Sequence, residues 1–212
     1  MSIKLKGVGN LSEGKIEGIA TIDGGEYENL NIDGVCTIKG DVKTKHFDVD
    51  GTTSCEGGII CEHMDCDGVV SIEGNVRAEA IDIDGVVTIS GNKLEANRIE
   101  CDGVLNVDGE ISADVIISDG FIKAQEIVGD DITILSKRSM MFFSFFKPKR
   151  FKYSNVRLIE ATKVTLRYVH ADTVSGQYVN IGPGCEIRRV DCSGELIVDP
   201  KANIEEVVQN QK

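Results

Sequence analysis

The residues best suited to chemistry in this chain are carboxylates at a fixed spacing. Glu17, Asp33, Asp50, Asp67, Asp84, Asp102 and Asp119 each stand directly before a glycine, and Asp48, Asp65, Asp82 and Glu100 stand two residues ahead of four of them. Carboxylates presented from successive turns of a repeat can chelate a hard cation such as calcium. Asp-Gly is also ordinary corner chemistry, because Asp caps its own turn and Gly accepts positive φ. Solvated acids about 4.8 Å apart repel by only about 1 kcal/mol each, so a ladder of them is tolerable without a metal, and the corner reading is the stronger. His46 and His63 occupy equivalent outward positions one repeat apart and could pin a metal between them, although paired surface histidines more often have no such role. His170 stands alone. No catalytic residue, no metal site and no cofactor is expected, since no nucleophile, base and orienting group recur together.

The elements that position these side chains follow from the repeat. The anchors Gly18, Gly34, Gly51, Gly68, Gly85, Gly103 and Gly120 recur at spacings of 16, 17, 17, 17, 18 and 17 along the chain, and a second glycine stands six positions after each of the first six. Apolar residues recur two apart, in columns such as Ile16, Ile32, Val49, Cys66, Ile83 and Cys101 before the anchor, and Ala20, Cys36, Thr53, Val70, Val87 and Leu105 after it. This is strand alternation broken by turns, a period that excludes helices. Three short strands of about 17 residues in all cannot bury their own face, so they must stack on their neighbours. The expected fold is all-β: a parallel β-helix (β-solenoid), right-handed by the crossover rule. Six of the seven cysteines (36, 55, 61, 66, 101, 192) fall in inward columns and read as reduced core thiols. Cys66 and Cys101 share a column but lie two turns apart, too far for a disulfide.

One stretch departs from everything else. SMMFFSFFKPKRFKY, residues 139–153, holds five of the seven Phe, two of the four Met and no Asp or Glu. From Lys137 to Lys152 there are six basic and no acidic residues, so the net charge of −12 leaves −12 − 6 = −18 on the remainder. That acidity argues against nucleic acid as a partner. The expected organisation is a solenoid over 1–135, a hydrophobic-basic insertion over 136–153, and a solenoid continuation with a tail over 154–212, where Gly176, Gly182 and Gly194 resume the glycine pattern. The apolar run MMFFSFF is far shorter than the roughly 20 residues that span a bilayer, but it can lie in an interface. Burying its aromatics and methionines is worth at most about 10 kcal/mol, and each nearby Lys or Arg adds about 1 kcal/mol at an anionic leaflet. The candidate membrane- or partner-contact residues are Met140, Met141, Phe142, Phe143, Phe145, Phe146, Lys147, Lys149, Arg150, Phe151 and Lys152. With no signal-like apolar run at the N-terminus, the expected location is cytoplasmic.

NIDGVCTIKGDV and DIDGVVTISG, followed by the insertion and then VSGQYVNIGPGCEI and GELIVDP, resemble the bactofilins, or polymer-forming cytoskeletal proteins, in particular their longer Firmicute-type members. The resemblance runs over nearly the whole chain and implies a right-handed β-helix that stacks end to end into nonpolar filaments, often at the membrane, as a scaffold for cell shape, wall synthesis or motility. The expectation is a non-catalytic bacterial scaffold, peripheral at the inner face of the cell membrane. Its partners would be further copies of itself or a paralogue, an anionic membrane surface, and cell-envelope or motility proteins. The first alternative is a non-polymerising module that recruits a protein partner through the insertion. A more distant one is an acyltransferase-like or carbohydrate-active β-helix enzyme: VNIGPGCEI is similar to the hexapeptide repeat of β-helix acyltransferases, but the following IRRVDC breaks that pattern.

Overall fold

Alternating side chains two deep and a corner glycine in each repeat wind the chain into a β-solenoid of about 11 turns with about 17 residues per turn. The structure is a computed structural model that describes residues 3–5, 11–136 and 153–209, with side chains from 14 onward within those ranges. Among the described residues there is no helix, and twenty strands pair in one all-parallel sheet. The expected fold class is therefore the observed one.

The register shows how the core is assembled. Leu30, Phe47, Met64, Ile81, Ile99, Ile116, Ile132, Val164 and Val179 face one another in succession, and each is at most 3% exposed. Burying each large side chain of such a column is worth about 1.5–3 kcal/mol. The stack gains further from polar pairing, because each interior turn hydrogen-bonds its backbone to the turns on either side. Short strands such as His46–Val49, Thr52–Cys55 and Ile59–Ile60 make up the turns from His46 on. Near the start, in Ile19–Ile32, and again in later turns the strands run on through their corners, as in Phe121–Ile134, Ser154–Leu166, Val169–Ile181 and Glu186–Val198.

The Asp-Gly corners work differently from the sequence expectation. None of the anchor glycines has a positive φ. What excludes a side chain is the turn below: a Cβ on Gly34, Gly51, Gly68, Gly85, Gly103 or Gly120 would lie 1.9–2.1 Å from the carbonyl oxygen of the preceding anchor. Nor does the Asp side chain close the corner. The amides of Asp50 and Gly51 both donate to the Ile32 carbonyl, at 3.1 and 3.0 Å, and the same pair of bonds recurs at Asp67 and Gly68, Asp84 and Gly85, and Asp102 and Gly103. Among the described residues, positive φ occurs instead at Gly25 (155°), Gly40 (99°), Ser136 (36°), Tyr168 (55°) and Gly184 (73°).

The glycines beyond the insertion do not continue the anchor column. Gly176 faces Ala161 and Cys192, in the column that also holds Ala113 and Gly129, and Gly194 sits beside an irregularity in the pairing between Gly176 and Tyr178. The turn there is shorter: Ser154 faces Val169 and Leu166 faces Ile181, offsets of 169 − 154 = 15 and 181 − 166 = 15. Across the insertion the offset is 166 − 134 = 32, Ile134 facing Leu166, so the stack resumes in register after 137–152. The root of the insertion is closed by two fully buried serines, whose hydroxyls Ser136 Oγ and Ser154 Oγ lie 2.8 Å apart, while Ser154 Oγ accepts the Ile122 amide at 3.0 Å.

The corner geometry predicts a sharp contrast between two glycines. Gly68→Ala, whose methyl would meet the Gly51 carbonyl, should cost about 1–3 kcal/mol or more by overpacking. Gly18→Ala, with nothing within 4 Å of its Cβ, should be close to neutral. Urea unfolding of both variants checks this, and equal destabilisation would contradict it.

Candidate interaction surface

Because Phe47 and Val49 are buried, the strand pleat turns Asp48 outward between them, and the same holds for Asp65 and Asp82. Asn31, Asp48, Asp65, Asp82 and Glu100 face one another in register, so the carboxylates form a true column. Partial burial, followed by the neighbouring carboxylates, pushes the Asp48, Asp65 and Asp82 carboxyls above the ordinary aspartate value. Cations close the column at its ends. Lys15 bonds Glu17 at 2.6 Å and lies 3.5 Å from Asp33, and its hydrogen bond draws the Glu17 carboxyl down while Glu17 raises Lys15. At the other end Arg98 reaches Glu100 at 2.6 Å.

His46 faces His63 in register, and their rings stack with centroids 5.1 Å apart at 15°. They flank a shallow open depression of about 470 Å³ that Asp48, Asp65, Lys15, Asn29 and Asn31 also line. Among the described residues, no group of three or more His, Cys, Asp or Glu is arranged to hold a metal. His170 lies beside the root of the insertion, stacked on Tyr153 with centroids 4.0 Å apart, and its Nε2 is 3.4 Å from Glu186, an ion pair when the imidazole is protonated.

All seven cysteines are free and buried, Cys185 included. Burial pushes the Cys36 thiol up to about 11 and those of Cys61, Cys66 and Cys101 to about 12. The thiolate is the nucleophile, so these groups are inert at neutral pH. Cys66 and Cys101 are separated by Ile83 in one column.

An outward apolar column escaped the inward-looking sequence reading. Ile19, Val35, Thr52, Val69, Val86, Val104 and Phe121 face one another in succession, each just after an anchor glycine. The signal was present, since the first six are all β-branched. Apolar residues are also open at the C-terminal end. The inward columns that bury Ile181 and Val190 finish at Val198 and Val207, which are 40% and 48% exposed. The sequence-derived contact residues Met140 to Lys152 lie outside the described residues.

The chain matches no family model and no solved structure. Over 82 residues it is 32% identical to the uncharacterized protein YhbE of Bacillus subtilis (strain 168), a match that covers 39% of this chain and 34% of YhbE. The match thus spans about a third of that relative's length.

The acid column predicts a pH dependence opposite to that of salt-bridged carboxylates. Asp48, Asp65 and Asp82 have folded pKa values above the unfolded one, so between the two the folded state binds more protons. Their contribution to stability rises as pH falls through that window and is lost as pH rises through it. Asp65→Asn, which removes the middle carboxylate, should raise Tm at pH 7 by roughly 1–3 °C after solvent screening. It should also flatten the salt dependence of Tm, and a lower Tm in thermal denaturation would count against the ladder's repulsion.

Proposed function

We propose that this protein is a non-catalytic scaffold that self-associates end to end into filaments and attaches to the cytoplasmic face of a membrane through the hydrophobic-basic insertion. The observation that carries the self-association is the apolar surface exposed in the last described turns. Val198 and Val207 are exposed, and Leu196 and Ile204 half-buried, in columns that bury every earlier member in the preceding turns. A solenoid end offers unpaired backbone donors and acceptors together with an apolar floor, and a second copy whose first turn continues the columns satisfies both. The resemblance to bactofilins points the same way. Membrane attachment is supported by the composition of 137–152, with its two Met, four Phe between Met140 and Phe146, and six cations. One segment binds reversibly, and a filament displaying many copies binds firmly through avidity.

Electron microscopy of the purified chain should show filaments, and Val198→Lys with Val207→Lys should abolish them while leaving the far-ultraviolet circular dichroism unchanged. Filaments that persist in the double variant would overturn the end-to-end reading. Liposome flotation should separate attachment from assembly. Changing Phe142, Phe143, Phe145 and Phe146 to Ser should release the protein from anionic vesicles, whereas unchanged flotation would reject membrane contact and favour a protein partner for the insertion.

A further inference from the structure

The strands His46–Val49 and His63–Cys66 carry the same outward pair, a histidine and then an aspartate two residues on. They pair in parallel register, so His46 faces His63 and Asp48 faces Asp65. Four side chains able to ligate a cation therefore stand at the corners of one patch of sheet, about 4.8 Å apart between strands and about 6.6 Å along each. His46, His63 and Asp65 are exposed and Asp48 is half-buried, and all four line the same open depression.

The ligand atoms of this patch are not engaged by the protein. Among the described residues, neither imidazole and neither carboxylate has a hydrogen-bond or ion-pair partner; the one bond made here by His46 is from Thr44 Oγ1 to its backbone carbonyl. Lys15, the cation lining the depression, is held by Glu17 at 2.6 Å and lies 3.5 Å from Asp33. The charge of Asp48 and Asp65 is thus left beside two imidazoles.

That donor set selects a class of ion. Calcium takes six to eight oxygens, more than this patch supplies, whereas imidazole nitrogen suits zinc, nickel and copper. On a tetrahedral zinc with bonds of about 2.0–2.1 Å, two imidazole nitrogens lie about 3.4 Å apart. The rings of His46 and His63 stand face to face with centroids 5.1 Å apart at 15°. A tilt about the terminal side-chain torsion, which is broad for histidine, brings one nitrogen of each to that separation. Both rings are exposed, so no core packing opposes the tilt. Among the described residues no third such side chain is arranged to complete the set, so the protein supplies two ligands and water the others.

We propose that His46 and His63 form a two-point site for a divalent transition metal that takes imidazole nitrogen, with Asp48 and Asp65 supplying the counter-charge. The inference rests on neither the filament nor the membrane reading. Calorimetric titration of the untagged, metal-free full chain with zinc chloride tests it, and the seven cysteines do not compete because they are buried. One zinc should bind per chain. His46→Ala and His63→Ala should each weaken binding at least about tenfold, and His170→Ala should leave it unchanged. Asp48→Asn together with Asp65→Asn should weaken it about tenfold through the lost, water-screened attraction. Zinc should also raise the Tm of the parent chain but not that of the double variant His46→Ala, His63→Ala. No zinc binding by the parent chain, or equal binding by the double histidine variant, overturns the proposal. Displacement of the zinc by excess calcium assigns the cation to the carboxylate column and overturns it as well.

Discussion

Backbone contact between successive turns at the anchor glycines governs the rest of this structure. A Cβ at any of these corners from Gly34 on would lie about 2 Å from the carbonyl oxygen of the turn below, so the turns meet there main chain to main chain. That contact holds each turn at the strand spacing, aligns the inward columns, and forces the residue before each glycine and the residue after it to project outward from a common line. The acid ladder and the outward apolar column are by-products of the same corner. One feature of the backbone thus creates two neighbouring surface stripes, one anionic and one apolar.

Much of this was legible in the sequence, because a period-two core and a regular glycine recurrence leave few alternatives. Each inward column read from residues such as Ile32, Val49 and Cys66 is buried. The reason for the glycines was not legible, since a spacing cannot distinguish a left-handed φ from a close approach by another turn. Gly176 and Gly194 were misleading for a related reason. Once corners are made by Tyr168 and Gly184 at positive φ, the turn shortens and glycine no longer marks the anchor. The outward column was missed although every residue in it was visible, because apolar residues in a strand are ordinarily assigned to the core.

The charge distribution gains physical content from this arrangement. The solenoid concentrates carboxylates along one corner and the strand column beside it, where partial burial and mutual repulsion raise the Asp48, Asp65 and Asp82 carboxyls. The insertion supplies cations and aromatics and emerges at the end of that corner. In the last described turns Val198 and Val207 are exposed, and the scaffold reading depends on them.

The axial repeat of the proposed filament tests the central claim most directly. About 11 turns at about 4.8 Å each give roughly 50 Å per subunit when the columns run on from one copy into the next. Cryo-electron microscopy should find that repeat together with a continuous layer spacing of about 4.8 Å along the axis. A filament built by lateral contact, with the layer spacing interrupted between copies, would contradict the account.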